Sequence, residues 1–84
     1  MSNYLLSYRS LTYAQRVSHL LERAGIPSSV IKLPKGVSSE GCGYGIRVSG
    51  RYLSEAKDML ASADVRPRKI FLLNDDGDAV EVLP

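Results

Sequence analysis

The chain has one phenylalanine, one histidine and one cysteine, and each scarcity closes a class of function. A single cysteine makes no intrachain disulfide, and it cannot complete the thiolate set that structural zinc or an iron–sulfur cluster needs. His19 has no companion at metal-ligand spacing, so no metal is expected and a surface histidine is the reading. One phenylalanine is too few for the Phe-rich, basic signature with which RNA-binding sheets stack bases. No apolar stretch approaches the length that spans a bilayer, and Met1-Ser2-Asn3-Tyr4 lacks the charged and apolar regions of a signal peptide. These absences together point to a soluble protein of the reducing cytoplasm, with neither membrane nor nucleic acid as partner.

What is present is an ordinary globular balance, 44% hydrophobic and 24% charged over 84 residues, which suits one thin two-layer domain. The formal charge of +2 is too small to imply a polyanionic partner by itself. It is unevenly distributed, since Arg66-Pro67-Arg68-Lys69 is basic while Asp75, Asp76, Asp78 and Glu81 make the last ten residues acidic.

Tyr4 to Tyr8 is apolar on both faces and reads as a central strand. From Leu11 the period changes, with Ala14, Val17, Leu21 and Ala24 on one helical face, Ser10 placed as N-cap and Gly25 placed to end the helix. A second strand is expected over Ser28–Leu33 and a third at Tyr44, Ile46 and Val48, separated by a loop of about ten residues, long for a hairpin. A second helix begins at Ser49 or Gly50 and places Leu53, Ala56, Leu60 and Ala63 on one face. Lys69–Leu73 is the fourth strand. Asn74 to Asp78 is a turn, after which Ala79 to Leu83 is available as an extra edge strand.

The order strand, helix, strand, strand, helix, strand predicts an α+β, ferredoxin-like βαββαβ two-layer sandwich. Its four antiparallel strands run in the order four-one-three-two, with both helices on one face. One domain, 1–84, is expected, with a core over 4–73 and an acidic turn and C-terminal strand or tail over 74–84. The five tyrosines, Tyr4, Tyr8, Tyr13, Tyr44 and Tyr52, are expected on the outer sheet face or at helix ends, where an apolar face would favour a homo-oligomer.

The candidate chemistry lies in Ser38-Ser39-Glu40-Gly41-Cys42-Gly43-Tyr44-Gly45. Glycines on both sides leave the thiol unshielded by neighbouring side chains, and the topology brings its loop to the end of the sheet where strand one stops and helix one starts. The unpaired N–H groups of Ser10's helix and the guanidinium of Arg9 favour an anion there, and a thiolate is one. Cys42 is therefore the candidate nucleophile, with Arg9, Ser10, Gly41 and Gly43 as its anion-favouring surroundings and Lys35 and Arg47 as further positive neighbours. The bland reading remains beside it, a small buried cysteine in a glycine-shaped hairpin. Ser38 and Ser39 read as turn residues, the glycine run lacks the context of a phosphate loop, and the aspartates lack the rest of a calcium loop.

Tyr4-Leu5-Leu6-Ser7-Tyr8-Arg9-Ser10, Ala24-Gly25-Ile26-Pro27, Ile31-Lys32-Leu33-Pro34 and Ser38-Ser39 shortly before Cys42-Gly43 resemble a family of small domains described as selenium or sulfur carrier-like proteins. The resemblance covers roughly Tyr4 to Leu73. It implies a ferredoxin-like fold and a cysteine that holds sulfur or selenium, with a donor protein and an acceptor enzyme as partners and no cofactor. Glu40-Gly41 between the serine pair and Cys42 departs from that pattern, and the acidic tail lies outside it. Two functions stand after this reading: a non-enzymatic carrier acting through Cys42, and an oligomeric ligand-binding or regulatory module in which the cysteine has no chemistry.

Overall fold

A computed structural model of the chain describes residues 2–33, 43–75 and 78–82. Gly41 and Cys42 fall outside them, as do Lys35, Ser38 and Ser39. The elements are β1 (Asn3–Tyr8), α1 (Leu11–Arg23), β2 (Ser28–Lys32), β3 (Tyr44–Ser49), α2 (Leu53–Ser62), β4 (Lys69–Leu73) and β5 (Ala79–Val82). A 3-10 turn over Gly50–Tyr52 leads into α2. The α-helix thus begins at Leu53, three or four residues after the expected start at Ser49 or Gly50 and at the first residue of its apolar stripe, after the Ser49 hydroxyl has accepted from the Arg51 N–H at 3.4 Å.

All pairings in the sheet are antiparallel, in the order β2-β3-β1-β4-β5. The order four-one-three-two expected for the first four strands is contained in this sheet, which differs from a four-stranded one in that Ala79–Val82 returns along β4 as a fifth strand. The Asn74 N–H donates to the Asp78 carbonyl at 2.8 Å between the two strands. An exposed Lys69–Glu81 pair at 3.6 Å links β4 to β5 and contributes at most about 1 kcal/mol.

Alternation along the strands sorts the two faces. Leu6, Tyr8, Ile46, Val48 and Ile70 form one buried cluster with Ala14, Val17 and Leu21 of α1 and Ala56 and Leu60 of α2, so both helices cover the same face. Tyr4, Tyr44 and Tyr52 pack against this cluster. The expectation of the outer sheet face is therefore corrected for Tyr4, Tyr8 and Tyr44, which face the helices, whereas Tyr13, exposed in the first turn of α1, and Tyr52, at the start of α2, lie at helix ends as expected. The reason is parity, since Tyr4, Leu6 and Tyr8 share one side of β1 whereas Leu5 and Ser7 take the other. Ala24 and Ala63, expected on the apolar helix faces, are exposed because each helix has ended by that point.

Both helices stop in the same way. At the end of α1 the Gly25 N–H donates to Glu22 O at 3.0 Å and the Ile26 N–H to Leu21 O at 2.9 Å. At the end of α2 Asp64 donates to Ala61 O at 3.2 Å and Val65 to Leu60 O at 2.9 Å. These are paired Schellman closures, with Ile26 and Val65 buried against the leucines that accept from them. The motif needs a left-handed residue, which is Gly25 (φ 79°) in one and Asp64 (φ 60°) in the other.

Gly25→Ala is therefore expected to lower the free energy of unfolding by about 1 kcal/mol, because a Cβ is strained in the left-handed region. Asp64→Gly should leave it unchanged to within about 0.5 kcal/mol, relief of strain being offset by a freer unfolded chain. Urea titration of the two variants against wild type measures both.

Candidate functional site

One end of the sheet brings together several basic and aromatic residues. The register sets Lys32 beside Tyr44, Tyr44 beside Tyr8, and Lys69 beside Ser7, so the ends of β1 and β2 and the starts of β3 and β4 lie side by side. Leu33 and Gly43, which flank the stretch containing Cys42, also lie there, joined by a 3.1 Å bond from the Leu33 N–H to the Gly43 carbonyl. Gly43 is buried. Leu33 reaches over Gly45, where its Cδ2 lies 2.7 Å from the position a β-carbon would take, so a side chain at 45 would displace it.

Arg9 and Ser10 are exposed at the same end, where β1 passes into α1. The Ser10 hydroxyl caps the helix as expected, accepting from the Tyr13 N–H at 3.1 Å, and its carbonyl accepts from Ala14 at 3.0 Å. Arg47 is not part of this end: it pairs with Leu5 in mid-strand, exposed on the face away from the helices. His19 is exposed on α1. Among the described residues no group of three or more metal-ligating side chains comes together.

Four residues of this end carry no site role in the sequence analysis: Tyr8, Tyr13, Arg66 and Arg68. With Arg9 they line a cleft of about 260 Å³. The segment bearing Arg66 and Arg68 is pinned at both of its ends by consecutive residues of β1. The Tyr8 hydroxyl donates to the Val65 carbonyl at 2.8 Å, the Ser7 carbonyl accepts from the Arg68 N–H at 2.9 Å, and the Ser7 hydroxyl accepts from the Lys69 N–H at 3.0 Å. Tyr8 and Tyr13 stack with ring centroids 5.6 Å apart and planes 26° apart. Burial, and secondarily Tyr13, pushes the Tyr8 phenol well above its ordinary range. It therefore stays a neutral donor at physiological pH. The sequence signal for these arginines was the run Arg66-Pro67-Arg68-Lys69 directly before a strand whose start the topology brings to this end.

An α+β domain with two helices on one face of an antiparallel sheet, and a basic cleft at the end where a long β2–β3 connection opens, is the class that fold and site define. The family model described as putative Se/S carrier protein-like matches residues 3–72, and the chain belongs to that family. The match stops before β5, which lies outside it. No curated protein and no solved structure matches the chain. Among the described residues no helix is long and apolar enough to cross a membrane.

Because folding keeps Tyr8 protonated above the pH at which an unfolded tyrosine ionises, its contribution to stability is complete below about pH 10 and is lost as the pH rises above that value. Tyr8→Phe should cost about 1–2 kcal/mol at pH 7, through the lost bond to Val65. The difference from wild type should shrink above about pH 10. Urea unfolding of both proteins across that range checks the sign.

Proposed function

We propose that this protein is a carrier of sulfur or selenium, which it holds on Cys42 as a persulfide or its selenium counterpart between a donor protein and an acceptor enzyme. The observation that supports this reading most is the position of Leu33 and Gly43: the segment containing Cys42 leaves and rejoins the sheet at the end that also bears Arg9, Ser10 and Arg66. Positive charge and the N-terminal end of α1 there favour a thiolate, and a persulfide is an anion of the same kind. Membership of a family described as carrier-like agrees with it.

In the loading step the Cys42 thiolate attacks the terminal sulfur of the donor's persulfide. A new S–S bond forms on Cys42, the donor's S–S bond breaks, and the donor leaves as a thiolate, so no external oxidant or reductant enters. Unloading is the same exchange with an acceptor thiolate. Arg9, Ser10 and the backbone at Gly41 and Gly43 stabilise the anion, and the glycines leave room for a partner's active site. The chain acts as one domain over 1–84, and its first six elements, with β1 between β3 and β4 and both helices on one face, support a ferredoxin-like assignment.

Alkylation of Cys42 measured against pH should show an inflection below about 8.5, moved upward in Arg9→Glu. Incubation with a cysteine desulfurase and cysteine should add the mass of one sulfur, removable by reductant and missing in Cys42→Ser. If wild-type protein acquires no such mass while a known carrier loads in parallel, the carrier reading is wrong.

A further inference from the structure

We propose that the cleft lined by Tyr8, Arg9, Tyr13, Arg66 and Arg68 is a binding site for a small phosphate monoester, the phosphate held by the guanidinium groups and the organic part set against the tyrosine pair. The site does not depend on Cys42 or on the carrier reading.

Charge comes first. Three arginines, Arg9, Arg66 and Arg68, line one cleft in a chain whose formal charge is only +2, so basic residues are concentrated there. Arginine presents a planar fork of donors that matches tetrahedral oxyanions in pairs of hydrogen bonds, and a dianionic phosphate answers several guanidinium groups better than a single carboxylate does. A second cleft, beside Gly50, Leu53, Ser54, Lys57 and Asp58, has one charge of each sign and no such preference.

Preorganisation is the second argument. Ser7 and Tyr8 hold the 65–69 segment through three hydrogen bonds, so Arg66 and Arg68 spring from backbone already fixed relative to Arg9. Binding then orders little besides the side chains. The neutral Tyr8 phenol adds no negative charge to the cleft.

The third concerns the aromatic wall. Tyr13 is 41% exposed and stacked on the buried Tyr8, which offers a ring surface at the cleft. A volume of about 260 Å³ accommodates a phosphate with a small organic body. A nucleic-acid strand needs a run of outward-facing aromatics on the sheet, whereas Tyr4, Tyr8 and Tyr44 are turned toward the helices.

The test is titration of wild-type, ¹⁵N-labelled protein with phenyl phosphate, inorganic phosphate and benzoate, followed by amide shifts and by calorimetry. Phenyl phosphate should bind saturably, with shifts concentrated at residues 8–13 and 65–69 and with affinity falling as salt is raised. Inorganic phosphate should bind more weakly at the same amides, and benzoate more weakly than phenyl phosphate. Arg9→Gln and Arg66→Gln, both at exposed positions, should each reduce affinity by about tenfold. Tyr13→Leu should bring phenyl phosphate down to the level of inorganic phosphate, and Cys42→Ser should bind as wild type does. The proposal is overturned by absence of saturation up to about 10 mM phenyl phosphate. It is equally overturned by undiminished affinity in the Arg9→Gln, Arg66→Gln double variant, or by benzoate binding as tightly as phenyl phosphate. Loss of binding in Cys42→Ser would show that the site is not independent of the thiol and would also refute it.

Discussion

The hydrogen bond from Tyr8 to the Val65 carbonyl ties the last residue of the central strand to the turn that ends α2, across 57 residues of chain. A buried hydroxyl and a carbonyl would each be costly if left unpaired, so this one contact fixes the distance between sheet and turn. The neighbouring residue, Ser7, fixes the continuation of the same turn into β4 through both its backbone and its side chain. The segment 65–69, with Arg66 and Arg68, is therefore set relative to β1. The cleft is a product of strand-to-turn bonding rather than of direct contacts among the arginines.

Helix termination works to the same end. A Schellman closure reverses the chain in a few residues and buries the first apolar side chain after the helix against the last turn. In the first half of the chain that delivers Ile26 to the core ahead of β2, and in the second it delivers Val65, whose carbonyl meets Tyr8. The two strand–helix units thus share a stop signal as well as an order. One uses glycine for the left-handed position and the other spends an aspartate on it.

Much of this was legible in the sequence. Ser10 as cap, Gly25 as terminator and the buried stripe Ala14, Val17, Leu21 follow from hydrogen-bonding capacity and helical period. The central place of β1 follows from apolarity on both faces, which the burial of Leu5 at 1% and Leu6 at 0% bears out. That same apolarity concealed which side was which, because Leu5 makes one face as apolar as Leu6 makes the other and Ser7 alone is too weak a mark to orient the strand. The extra strand β5 read only as an option, since a short alternating tail after a turn is stable only if an edge is open to receive it. Arg66 and Arg68 read as charge without a place. Their role at the cleft depends on bonds from residues 57 to 62 positions away, which local pattern does not contain. Cys42 and Gly41, the chemical centre of the sequence reading, lie outside the described residues.

The junction of Leu33, Gly43 and Gly45 has a consequence for how such a domain can vary. One hydrogen bond joins the two chain ends that leave the sheet, and a leucine side chain occupies the space glycine leaves empty beside them. The junction behaves as a threshold with its own frame. The span between its two posts can be lengthened or rewritten at the small entropic cost of a longer closed loop, and β2 and β3 keep their register beneath it.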